Sequence, residues 1–212
     1  MSRPSAPQTQ RAFSLVELAV ALAVAAILVG MAAPSFRDMV RRNVADGALY
    51  DLLGDLQFAR SEAIRRGTRV TICAAAADGG CGTGWDVGRV VFVDDAAPGT
   101  GGTVGGLDAG ELVLRRAGPL DDALDLGARA RTAPNAAAAT AVGFARFGPR
   151  GTSSWRGGGH FALRPSPCED ASEVDGLVVS MSGDVRRARR DGDGLATGAF
   201  GAPIGCPVAA SS

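Results

Sequence analysis

The sequence predicts an α+β fold. One long N-terminal helix, apolar in its first half and amphipathic in its second, packs on an antiparallel β domain of two sheets. Three observations carry this. Residues 13–33 are almost wholly apolar. An apolar stripe at helical spacing follows to about residue 63. From Thr68 onward, short runs of β-formers alternate with glycine-rich turns.

The apolar segment, Phe13 to Ala33, is 21 residues long and carries a single charge, Glu17. At 1.5 Å per residue, such a segment crosses a hydrocarbon core of about 30 Å. The twelve residues before it are polar, with Arg3 and Arg11 and no acid. Positive charge ahead of an apolar span holds that front in the cytoplasm and sends the rest outward. A cleaved secretory signal ending near Ala32 or Ala33 is one reading, and a plain signal anchor is another. Neither explains Glu17, because acids inside a membrane are costly and usually functional. Neither explains the next segment either. Phe36, Val40, Val44, Ala48, Leu52, Leu56, Ala59 and Ala63 recur at spacings of three or four, with charged residues mostly off that line. The helix therefore continues beyond Pro34 to about Arg66, where Gly67 ends it. A helix of about 54 residues measures roughly 80 Å.

The body reads as strands or hairpins at 68–76, 88–95, 110–118, 139–151, 160–166 and 175–190. Residues 94–110, 156–159 and the alanine run 136–139 read as loops. Cys73, Cys81, Cys168 and Cys206 make an even set, which in an exported chain points to two disulfides. Three pairings are possible. Cys73–Cys81 with Cys168–Cys206 is preferred, since each closes a loop within its own region. No zinc site is expected, because there is no CxxC and His160 is not at ligand spacing. The formal net charge is zero and every one of the 22 basic residues is Arg. Bulk charge thus gives no case for a nucleic-acid binder, and any such contact needs a local patch.

"RAFSLVEL" resembles the leader junction of type IV pilins and type II secretion pseudopilins. In that family prepilin peptidase cuts a short basic leader before a hydrophobic residue, usually Phe, and the new N-terminus is methylated. The resemblance makes Ala12 and Phe13 the cleavage and N-methylation site, with Ala12 where the family usually has Gly. Glu17 becomes the fifth mature residue, and Pro34 the twenty-second, where pilins commonly carry proline. A carboxylate buried in a waterless filament core costs several kcal/mol unless paired. The resemblance implies that Glu17 meets the freed amine of a neighbouring subunit.

"VTICAAAADGGCGTGWDVGRVVFVDD", "FARFGPRGTSS" and "LVVSMSGDVRR" narrow the likeness to the GspH/FimT group of minor pilins and pseudopilins. Trp85 and Phe92 are expected in the core, and Asp94 and Asp95 at a turn. The implied domains are a leader at 1–12, a transmembrane and assembly helix at 13–34, its amphipathic half at 35–67 and a periplasmic β domain at 68–212. The implied function is a FimT-like minor pilin, held in the inner membrane and then built into a pilus with other pilins at its tip. A GspH-like pseudopilin of type II secretion is the alternative. No enzyme, cofactor or metal is expected. His160 has no motif around it, Ser153 and Ser154 lack a nucleophile elbow, and "DGDG" at 191–194 is short of calcium ligands.

The one charged cluster is Arg186, Arg187, Arg189 and Arg190. Guanidinium groups contact phosphates without sequence choice. The FimT branch binds double-stranded DNA through a Gly-Arg-x-Arg element. Gly183 and Arg186 match it, while Asp184 stands where its first Arg belongs. Against DNA contact stands a solvated strand edge, where charge discourages edge pairing.

Overall fold

The structure, a computed structural model, describes residues 14–96, 102–133, 136 and 138–206, excepting the side chains of 32–34. Ala12 and Phe13 lie outside the described residues. The chain divides into two units, residues 1–43 and 44–212.

Helix α1 is Leu15–Arg66. Its start follows from "SLVE": the Glu17 N–H donates to Ser14 Oγ at 3.2 Å, the N-cap bond of a Ser-x-x-Glu box. Its end is a Schellman turn. The Gly67 N–H reaches the Ile64 carbonyl and the Thr68 N–H the Ala63 carbonyl, with Gly67 at φ +66°. The helix carries through position 34 without interruption. In the first unit its apolar side chains from Leu15 to Met31 are exposed, and it is long and apolar enough to cross a membrane.

The second unit buries one face of α1. Leu49, Leu52, Leu56, Ala59 and Ala63 are buried. The apolar stripe of the sequence is thus covered from Ala48 on, which is half-buried against the core; Phe36, Val40 and Val44 are exposed. That face meets two five-stranded antiparallel sheets.

The first sheet contains β1 (Val70–Ala75), β2 (Cys81–Gly82), β3 (Arg89–Val93) and β4 (Val113–Ala117), in the order β2-β1-β3-β4. The second contains β5 (Leu124–Ala130), β6 (Thr140–Ala141), β8 (Gly159–Pro165), β9 (Asp175–Val179) and β10 (Val185–Arg187), in the order β10-β9-β8-β5-β6. β7 (Phe144–Phe147) returns to the first sheet and pairs with β1. β11 (Arg189–Arg190) and β12 (Ala196–Thr197) form a separate two-stranded ribbon.

Several segments differ from the sequence reading, among them the short strands β2 and β12, which lie outside the expected runs. β5 was not expected there: Asp125, Gly127 and Arg129 lower its β propensity. Its alternation still holds, with Leu126, Ala128 and Ala130 buried. The 139–151 run is divided between the two sheets, as β6 and β7. The 175–190 run spans β9, β10 and, after a break at Ala188, β11.

Trp85 and Phe92 are buried, as their core reading expects. Trp85 packs edge-on to Phe161 with ring centroids 4.8 Å apart, and Trp155 lies 5.3 Å from the same ring. Both indoles donate to backbone carbonyls, Trp85 to Val142 and Trp155 to Phe144. Each ring therefore buries its area without leaving a bare donor. The disulfides are Cys73–Cys81, tying β1 to β2, and Cys168–Cys206, closing a span of 38 residues.

Candidate functional site

Two places bear on function. The first is the start of α1. Glu17 lies in the first turn, where the helix dipole favours an acid. Its neighbours Val16, Leu18 and Val20 are exposed apolar side chains. Here a carboxylate stands on a surface otherwise suited to lipid or to other apolar helices.

The second is the arginine cluster, which the fold splits. Sequence spacing puts Arg187 and Arg189 on one strand face; the break at Ala188 instead sends them to different sheets. Arg187 turns toward α1. It ion-pairs with Asp46 on the helix and with Asp175 on β9, and its guanidinium carbon lies 5.6 Å from the Tyr50 ring centroid. Asp46 and Tyr50 are four residues apart and so share one helix face. The hydrogen bond to Asp175 and that to Asp46 hold the Arg187 guanidinium well above its usual range. Arg190 donates to the Ser172 and Gly194 carbonyls. The side chains of Arg186 and Arg189 are exposed and have no hydrogen-bonded or ion-paired partner among the described residues.

Gly183 has a conformational reason of its own. It sits at φ +79° in the turn closed by the Gly183 N–H to the Ser180 carbonyl. A Cβ there would lie 1.8 Å from the Gly151 carbonyl oxygen. That carbonyl accepts from Arg60 Nε at 3.2 Å, and Arg60 Nη2 reaches the Ser182 carbonyl. The glycines of "FGPRG" and "MSGD" let two turns close on one helix arginine.

Sequence reasoning missed two buried carboxylate centres. Asp55, 5 % exposed, receives Arg89 Nη2 and Arg115 Nη1, each at 3.0 Å. Asp94, fully buried, accepts from Thr71 Oγ1 at 2.6 Å and from the amides of Gly105 and Ala96, and pairs with Arg146 at 3.0 Å. The turn reading of Asp94 and Asp95 covers the Asp94-to-Ala96 capping bond, but not the buried hub. Among the described residues, no group of three or more His, Cys, Asp or Glu is placed to hold a metal ion.

Residues 48–183 match the family described as Type II transport protein GspH. This chain is a member of the GspH family. Residues 7–33 match the prokaryotic N-terminal methylation motif. GspH-family chains are structural subunits of pili and pseudopili rather than enzymes, so their partners are other pilins of the filament.

Among solved structures, the type IV minor pilin FimU of Pseudomonas aeruginosa strain PAO1 is similar in two crystal forms. The P21 form is 21% identical, covering 71% of this chain and 92% of its own, with TM-score 0.48. The P65 form is 20% identical over 70% and 92%, with TM-score 0.45. The minor pseudopilin EpsH of the Vibrio cholerae Type 2 Secretion System is 12% identical over 68% and 94%, with TM-score 0.42. No curated relative matches the chain.

Proposed function

We propose that this GspH-family chain is a minor type IV pilin of the FimT-like branch. Prepilin peptidase removes residues 1–12 after Ala12, and the amine of Phe13 is methylated. Residues 13–34 then hold the subunit in the inner membrane, with residues 68–212 in the periplasm, until it enters a filament and takes part in its initiation. The observation that carries this reading is the match of residues 7–33 to the methylation motif, with Glu17 as the one acid in the apolar run. In the filament, Glu17 pairs with the Phe13 amine of a neighbouring subunit, which sets the axial register between them.

Mass spectrometry of the protein from its native membrane tests the processing. The expected N-terminus is methylated Phe13. An N-terminus at Ala33 or Pro34 would mean an ordinary signal peptide and would sink the proposal. The alternative, a minor pseudopilin of type II secretion, shares this chemistry. Genes for secretion components beside this one favour it, and genes for pilus-tip proteins favour the first reading.

A second reading, contact with double-stranded DNA, draws its support from the side chains of Arg186 and Arg189, exposed and unpartnered among the described residues. Each phosphate contact contributes about 0.9 to the salt slope of binding. Replacing both arginines by Ala is expected to flatten that slope by about 2 and weaken binding across all sequences. An unchanged gel-shift, in affinity and in salt dependence, removes DNA from the account.

A further inference from the structure

The last described residues form a hairpin over the second sheet. After β12 the chain turns through Gly198–Ala202, closed by the Gly198 N–H to the Ala202 carbonyl and by a bridge between Thr197 and Pro203. It returns past Ile204, whose N–H donates to the Ala196 carbonyl, and is covalently fixed at Cys206 to Cys168. Ala196 and Ile204 are buried in one cluster with Ala162 of β8 and Val174. Ala162 alternates with Phe161 and Leu163, which point to the main core, so the hairpin covers the opposite face of this sheet.

His160, the chain's one histidine, lies on that same covered face. Its ring is 5.8 Å from the Phe200 ring at the hairpin tip. It is so close to Gly198 that a Cβ there would be 2.9 Å from His160 Nδ1. Nδ1 is buried and has no hydrogen-bond partner. Cationic side chains flank it. Arg129 is its cross-strand neighbour on β5, and Arg131 lies 4.3 Å from the Phe200 centroid. On the other side, His160 opposes Val178, which in turn opposes Arg186. No carboxylate pairs with His160 among the described residues.

We propose that the tip Gly198–Ala202 is an acid-opened flap, released from the sheet when His160 takes a proton, while the Cys168–Cys206 bond and the β11–β12 pairing keep its base attached. The neutral imidazole tolerates the closed site, because Nδ1 can remain a bare lone pair. The cation cannot, because both nitrogens then carry hydrogens. It would bury an N–H with no acceptor and a charge beside Arg129. Burial, and then Arg129, accordingly push the His160 value down. The sign follows: closure is fully supported above the ordinary imidazole value of about 6.5 and is lost as pH falls below it. At about pH 5 the open form gains at most about thirtyfold, the limit set by a free imidazole. Opening bares the outer face of the second sheet around Ala162 and Val178, and the two tethers make the change reversible.

The test uses the full chain in detergent micelles. Hydrogen exchange of the segment 195–206, corrected for intrinsic rates, is compared at about pH 5 and about pH 7.5. The expected result is at least a tenfold loss of protection at the lower pH, with β8 and β9 unchanged. His160→Gln should abolish the pH dependence. A change below about threefold in the wild type, or a dependence that survives in His160→Gln, overturns the proposal. Should that variant fail to fold, the single histidine's NMR titration decides. It is expected below the usual imidazole range in the wild type and near about 6.5 in Phe200→Ala. A wild-type value at or above about 6.5 overturns it as well.

Discussion

Asp55→Ala is expected to destabilise the β domain by about 3–5 kcal/mol, because it leaves a buried guanidinium without its counter-charge. Arg89 is 4 % exposed, and both its Nε and Nη2 donate to Asp55 Oδ2. Its Nη1 already has no partner. Arg115 has other recourse: it is half exposed and also lies 4.1 Å from the Phe58 ring centroid. The loss therefore falls chiefly on Arg89. The double variant Asp55→Leu, Arg89→Met should recover most of it, since well-packed apolar residues often replace a buried pair at no cost. Urea unfolding of the full chain in detergent, followed by tryptophan fluorescence, measures both. A single variant within about 1 kcal/mol of wild type would show that the pair contributes little.

Asp94→Ala should cost a similar amount, about 3–5 kcal/mol, by a different route. One carboxylate satisfies the Thr71 hydroxyl, the amides of Ala96 and Gly105, and Arg146. Thr71 is fully buried and the Arg146 side chain is 11% exposed, so neither reaches enough water to recover its partner. Asp94→Asn keeps the shape and one acceptor oxygen, and is expected to lose less than half as much. Equal losses in Asn and Ala would mean that charge alone matters there. The Asp94 bond to Gly105 holds a turn that packs on Phe144, where a Cβ on Gly105 would be 2.4 Å from the ring. Thermal unfolding of the two variants should therefore be accompanied by early exposure of the 102–112 segment to protease.

The sequence showed most where a pattern is repeated and local. α1 and its glycine end follow from spacing, because burial of one face leaves a period, while β1, β3 and β8 follow from runs of β-formers between turns. Glu17 stood out because a charge in an apolar run is costly, and Phe13 only through the resemblance of its segment to a pilin leader junction. Asp55 and Asp94 were opaque for the opposite reason. Each is an ordinary acid in its own segment, and its partners, Arg89, Arg115 and Arg146, arrive from 34, 60 and 52 residues away. The splitting of the arginine cluster was hidden by the same limit. Four adjacent guanidiniums look like one patch until Asp46, brought from the helix, claims Arg187. Gly183 looked like part of a ligand motif, yet the backbone of residue 151 dictates it.

The path of the chain from β6 to β7 has a kinetic meaning. Only residues 142 and 143 separate a strand of one sheet from a strand of the other. β1, the first strand made, pairs with β7, whose residues lie more than 70 positions later. Pairings of such long range close slowly, since loop entropy must be overcome before the contacts form. A chain emerging from its N-terminus would hold β1 and β3 as an incomplete sheet until residue 147 had followed, and the buried face of α1 would stay partly bare until β8, β9 and β10 had joined as well. The domain thus has no stable half: cut anywhere before β7, it should remain a sticky, unfinished surface that invites chaperones or proteases.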